Sequence, residues 1–313
     1  MRFLLNTKTY SLKIILTTAL FLLLITSCGL LYNFGKRNET HIASINNNVC
    51  KKLIGNTVLY AVFVDSKYTN PWTQYDISST LDSIRKATAW IEKQASINGI
   101  ALSIDVDYYQ DEKAIIPIEA NLPRKTLYAS LVTSTGVNTR NVDRWADKIG
   151  KEALKMFGPD TATRTKTKIR PKDRERLIAR LRDMHKTDNV ALIYFINNYY
   201  TDEVSVALHA SADHDPEYAV VSFKYPSVIA HEFLHLFGAL DLYISPFDTK
   251  RKARKRKEFV KKEFPNEIMA FSYRNLDSLS ISPLTEYLIS WDKELSKEHK
   301  QMLFGKKINV AKY

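Results

Sequence analysis

Glycine is scarce in this chain of 313 residues, with nine in all. That scarcity excludes a collagen-like chain and argues against a repeat protein or a glycine-rich phosphate cradle. No G-x-x-x-x-G-K-[ST], G-x-G-x-x-G or G-x-S-x-G occurs anywhere in it, which removes the usual short signatures of nucleotide binding and of serine hydrolases. Cysteine is rarer still, at two residues, Cys28 and Cys50. Acidic residues are outnumbered, 34 against 46 Lys and Arg, for a formal charge of +12. Such a balance permits contact with anionic surfaces without demanding it. With 45% hydrophobic residues, 17 tyrosines and 14 phenylalanines, the chain can bury one large core or two modest ones.

The first acid is Glu39, and before it Arg2, Lys8 and Lys13 precede the apolar run IILTTALFLLLIT at 14–26. A positive start followed by a short apolar stretch reads as an export signal, too short to span a bilayer comfortably. The run ends in ITSC, 25–28. This resembles a bacterial lipobox, whose cysteine becomes lipidated and N-terminal after cleavage, so Cys28 is the expected lipidation site. The segment also admits an ordinary cleaved signal, or an uncleaved anchor running on through Leu30, Leu31 and Tyr32. All three readings export the protein; lipidation implies a bacterial cell envelope and attachment to a membrane. With Cys28 lipidated, Cys50 has no intrachain partner, and disulfides do not hold the fold. Removing 1–27 takes away three positive charges and no negative ones, 12 − 3 = +9.

Residues 28–54 are polar and read as a tether. The following order of patterns predicts one α/β domain over 55–313, within the usual range of domain sizes. A β-branched strand at 57–65 leads to a helix over 77–97, with Ile77, Leu81, Ile84, Ala87, Trp90, Ile91 and Ala95 on one face. Alternation at 101–109 gives a second strand, and a β-α-β start implies parallel strands. An irregular stretch covers 110–138. Helices are predicted at 139–157 and 171–185, and strands at 189–197, 204–210 and 218–223. The helix carrying residues 231–235 comes next, then a basic linker, the segment NEIMAFSY, and a last helix over about 283–304.

The chemistry concentrates in HEFLHLFGALD, 231–241. On a helix, i and i+4 share a face, so His231 and His235 can offer imidazole nitrogens to one ion. Zn2+ suits nitrogen and carboxylate ligands in tetrahedral geometry. Glu232, beside the first ligand, can act as general base toward a water without being a ligand itself. The neighbours Val228, Ile229, Phe233, Leu234, Leu236 and Phe237 are apolar, which predicts a buried helix. Gly238 is placed to end that helix with a left-handed turn that swings Asp241 back as third ligand.

HExxHxxGxxD resembles the metzincin metallopeptidases, in which the third ligand is usually histidine and, in a snapalysin-like minority, aspartate. The resemblance implies a zinc-dependent endopeptidase acting on proteins or peptides. It also implies a mixed twisted sheet with an active-site helix, an N-terminal subdomain (55–238) and a smaller C-terminal one (239–313). A structural methionine turn is implied beneath the metal, which Met269 would supply, and an edge strand that aligns substrate, for which 204–210 is the candidate. The family often has a tyrosine two residues after that methionine; here the place is Phe271, with Tyr273 four residues on. Tyr273 and Tyr243 are therefore both candidate oxyanion stabilisers. The sharp motifs span 231–273; elsewhere the resemblance is one of element order.

Other features have blander readings. KRKARKRK, 250–257, reads by default as a solvated loop or helix, with anionic lipid headgroups or a bordering substrate cleft as alternatives. No stacking motif accompanies it, which argues against nucleic acid. His209, Asp213, His214 and Asp215 read as a polar turn rather than a second metal site. Tyr287 and Trp291 are expected to pack the C-terminal helix. The rival to the enzyme reading is a non-catalytic surface lipoprotein that retains the fold as a binding module; Glu232 beside the ligands argues against it.

Overall fold

An uninterrupted apolar run, VLYAVFV, gives the first strand no face for water, and a strand buried on both faces belongs at the centre of a parallel sheet. The computed structural model describes residues 52–67, 69–109, 117–121, 139–157, 172–197, 205–208, 217–222, 224–243, 250–292 and 294–304. In it, β1 (Gly55–Asp65) lies between β2 (Leu102–Tyr108) and β4 (Asn189–Ile196), parallel to both. The register runs unbroken from Thr57↔Asn189 to Val64↔Ile196. The short β3 (Ile118–Glu119) pairs with the end of β1. Then β6 (Tyr218–Val221) adds parallel to β4, and β5 (Ser205–Leu208) adds antiparallel to β6. The main order is β2-β1-β4-β6-β5, so β5 holds one edge, where a strand at 204–210 was expected.

Parallel neighbours need crossovers, and helices supply them. α1 (Gln74–Ile97) joins β1 to β2 and opens with a reciprocal cap: Thr73 Oγ1 accepts from Asp76 N–H, and the Asp76 carboxylate accepts from Thr73 N–H. All seven predicted core positions of α1 are buried. α2 (Thr139–Met156) and α3 (Asp173–His185) precede β4 and pack on one another. The α2–α3 contact is close: a side chain at Gly150 would come within 3.1 Å of the Arg174 backbone nitrogen. Arg174 is buried there, its Nε 2.6 Å from Asp147 and its guanidinium 4.6 Å from the Tyr218 ring centroid. A buried cation of this kind is stable only when paired.

α4 (Pro226–Leu236) follows β6 and packs against α1, β5 and β6. Beyond it the fold departs from the sequence reading. The basic run takes the helical of its two default forms, α5 (Lys250–Glu263), but is not wholly solvated: Arg256 is buried, as is Val260 just after the run. After α6 (Ile268–Phe271) and a 3-10 turn at Leu276–Ser278, the expected last helix is two: α7 (Pro283–Leu288) and α8 (Lys297–Phe304). Ser290, left-handed at φ 69°, breaks the continuity. Trp291 then donates its indole N–H to the Leu53 carbonyl at 2.6 Å, a packing role as expected. One hydrophobic cluster links Leu53 through Leu303.

The architecture is α/β with a mostly parallel sheet. No helix among the described residues is long and apolar enough to cross a membrane. The export segment, Cys28, the tether up to residue 51, Cys50, most of 110–138, and His209, Asp213, His214 and Asp215 lie outside the described residues.

Candidate metal centre

α4 begins at a proline, whose missing N–H matters nothing in a first turn, and Ser227 to Leu236 are all buried. Burying two histidines and a glutamate on one short helix is costly unless partners await them. For the two histidines the partners are present. The His231 and His235 rings lie 4.6 Å apart at 88°, with Nε2 atoms 3.1 Å from each other. Asp241 Oδ1 completes a triangle, 3.2 Å from His231 Nε2 and 3.1 Å from His235 Nε2.

The turn that brings Asp241 there follows from Gly238, whose φ of 98° is open to glycine and strained for other residues. Gly238 N–H bonds the His235 carbonyl at 3.0 Å, and Ala239 N–H bonds the Leu234 carbonyl at 3.1 Å. These are the two bonds of a Schellman ending. Asp241 lies three residues past the glycine, on the ligand side.

Each imidazole is also held from behind. His235 Nδ1 is 2.7 Å from the Ala239 carbonyl, and His231 Nδ1 is 3.2 Å from the Ile268 carbonyl. Only a protonated Nδ1 can donate to a carbonyl, so both Nε2 atoms face the centre of the triangle, each with a lone pair when its imidazole is neutral. Two imidazole nitrogens and a carboxylate oxygen thus converge, a donor set suited to Zn2+. Tetrahedral ligands about 2.0–2.1 Å from an ion stand about 3.3 Å apart, close to the spacings found. Among the described residues this is the one group of three that could hold a metal ion.

Electrostatics tie the three together. Burial raises the Asp241 carboxyl, but the His235 charge and bonds from both histidines hold it well below the usual carboxylate range. Burial lowers His235, yet the Asp241 charge and hydrogen bond, with the Glu232 charge, raise it to about 9. Glu232 is buried next to His231, near enough for its charge to act on both His235 and Tyr243.

The two candidate tyrosines separate. The Tyr243 ring stacks on His231, centroids 6.2 Å apart at 25°. Burial first, then the Asp241 and Glu232 charges, push its phenol above the ordinary value. Tyr273 is 78% exposed.

Met269 is fully buried in α6, and its carbonyl accepts from Leu242 N–H at 3.0 Å. With the Ile268 carbonyl on His231, the α6 segment touches the centre twice. Its support is Glu267, fully buried, whose carboxylate accepts from Met269 N–H, Ser282 N–H and the Thr285 hydroxyl. Arg256, inside the basic run, turns inward and donates to the Tyr243 carbonyl at 3.3 Å. Neither Glu267 nor Arg256 was marked by any sequence pattern; each is a charged residue whose partners are remote in the chain. No protein-family model, curated protein or solved structure matches this chain.

Proposed function

We propose that the chain is a zinc-dependent endopeptidase of metzincin type, exported and held at a bacterial cell envelope through Cys28. The observation that carries this reading is the triangle of His231 Nε2, His235 Nε2 and Asp241 Oδ1, with Glu232 on the same helix. The glycine turn, the α6 segment behind His231 and the antiparallel edge strand β5 support it further.

Bound by the three ligands, zinc supplies a Lewis acid that polarises a carbonyl and acidifies water. Glu232 takes a proton from the attacking water on its carboxylate and passes it to the departing amine nitrogen. Its burial keeps that carboxylate out of bulk solvent. The Tyr243 hydroxyl, on a ring that stacks on His231, donates to the carbonyl oxygen as negative charge gathers there. β5 offers edge backbone groups to an extended peptide, which fixes the peptide direction across the site. Asp241, being anionic, leaves the ion a weaker electrophile than a third neutral histidine would.

The test is metal analysis of the purified chain together with cleavage of a mixed peptide library by wild type and Glu232→Gln. The reading expects about one zinc per chain in both proteins, and cleavage reduced on the order of 10²–10⁴-fold in the variant. Absence of stoichiometric zinc, or equal cleavage by both proteins, overturns it.

A further inference from the structure

An open cavity of about 730 Å3 lies between the second half of α1, the start of α4 one turn before His231, and the stretch after α6. Buried Trp90 and Leu276 line its apolar part, and Ser227 at the start of α4 borders it. Three cations reach it: Lys86 and Lys93 from α1, two turns apart on one face, and Arg274. Asp277 is the single acid among its lining residues. Arg274 is held in place, stacked 4.1 Å over the Phe271 ring and bonded to the Pro265 carbonyl at 2.7 Å. Tyr273 lines the same cavity. The cavity and the ligand triangle are therefore served by one helix, α4, whose Ser227 borders the cavity one turn before His231.

We propose that this cavity is a substrate subsite for carboxylate side chains, so that the peptides taken by the centre carry glutamate or aspartate next to the bond presented to Glu232. This rests on the peptidase reading and names its substrate class. Three cations against one acid disfavour a basic side chain, and the Trp90 and Leu276 surface accepts the methylenes of glutamate. Fixed positive charge around an apolar floor favours an anion whose stem is apolar over a small hydrated ion. The charge of the chain from Cys28 onward, 12 − 3 = +9, steers acidic peptides toward it in the same sense.

Binding separates this inference from the reading it rests on. The full chain bearing Glu232→Gln, in mild detergent, is titrated with fluorescent octapeptides that differ only in three Glu against three Gln. The Glu peptide is expected to bind roughly tenfold tighter at low salt, with the difference shrinking at 0.5 M salt, as a few exposed charge pairs allow. Lys86→Gln/Lys93→Gln is expected to abolish the preference, and Lys86→Glu/Lys93→Glu to transfer it to a three-Lys peptide. Equal binding of the Glu and Gln peptides, no binding of either, or a preference unchanged in both double variants overturns the inference. So does capture of phosphatidylglycerol vesicles, lost in the double variants, in place of the acidic peptide. Failure of the peptidase reading shows separately, as absence of cleavage by the zinc-loaded wild type whatever the binding.

Discussion

His235 Nδ1 meets the carbonyl of Ala239 at 2.7 Å, four residues along, where the chain has already left the helix. The same Ala239 donates its N–H back to Leu234 and closes that helix. One glycine-dependent turn thus ends α4, orients a ligand imidazole and delivers Asp241.

Replacing Gly238 by alanine forces a side chain into φ 98°, at a cost of about 1–3 kcal/mol. Thermal unfolding with chelator present is expected to show a loss of several degrees. Zinc affinity, read by competition with a chromophoric chelator, is expected to fall as well, because the turn places both His235 and Asp241. A variant with lowered stability and unchanged zinc affinity would separate the turn from the site.

In the metal-free protein, Asp241 is held well below its ordinary value and His235 is raised to about 9. A depressed carboxyl stabilises the fold above its unfolded value and loses that contribution as pH falls through the folded one. A raised imidazole stabilises below its unfolded value and loses that contribution as pH rises through the folded one. Both contributions are complete together between the unfolded values of 3.8 and 6.5. Chelated protein is therefore expected to be most stable in that window and to weaken toward pH 9. Asp241→Asn is expected to flatten the alkaline decline; an unchanged decline in that variant refutes the pairing.

Tyr243 and Tyr273 are expected to differ as phenylalanine variants. Tyr243→Phe removes the hydroxyl of the ring that stacks on His231. Loss of one oxyanion donor costs about 10²–10³ in kcat, with KM much less affected. Tyr273→Phe, at an exposed position, should leave kcat within a few-fold. Steady-state kinetics on one cleaved peptide decide between them, and the reverse ranking would reassign the donor.

Glu267 accepts three bonds with two oxygens in a fully buried position. Glu267→Gln sets an amide N–H2 against at least one of those donors, a loss of about 1–3 kcal/mol. Because Ile268 holds His231 from behind, zinc should also bind more weakly. Denaturant unfolding and zinc competition on the same preparation test both parts. Wild-type zinc affinity in a destabilised variant would confine Glu267 to a packing role.

What the sequence determined by itself is what depends on short separations. Two histidines at i and i+4 share a face in any helix, and glycine at the end of that helix selects the turn that carries Asp241. The runs VLYAVFV and VALIYFI announced strands buried on both faces, and the α1 core face was readable from its period. The α/β class followed from the order of those patterns. What only the tertiary structure decided depends on remote partners. Arg256 sits in a run that reads as solvated charge until its bond to the Tyr243 carbonyl is seen. Glu267 reads as a polar loop residue until Ser282 and Thr285 close over it. Tyr243 and Tyr273 are equal candidates along the chain, and the stacking of one on His231 separates them. Lys86, Lys93 and Arg274 lie far apart in sequence, and the packing of α1 on α4 and the return of the chain after α6 line one cavity with all three. A pattern of neighbours can specify a helix, a turn and a pair of ligands, but which side chains meet across the fold is set by packing between distant segments.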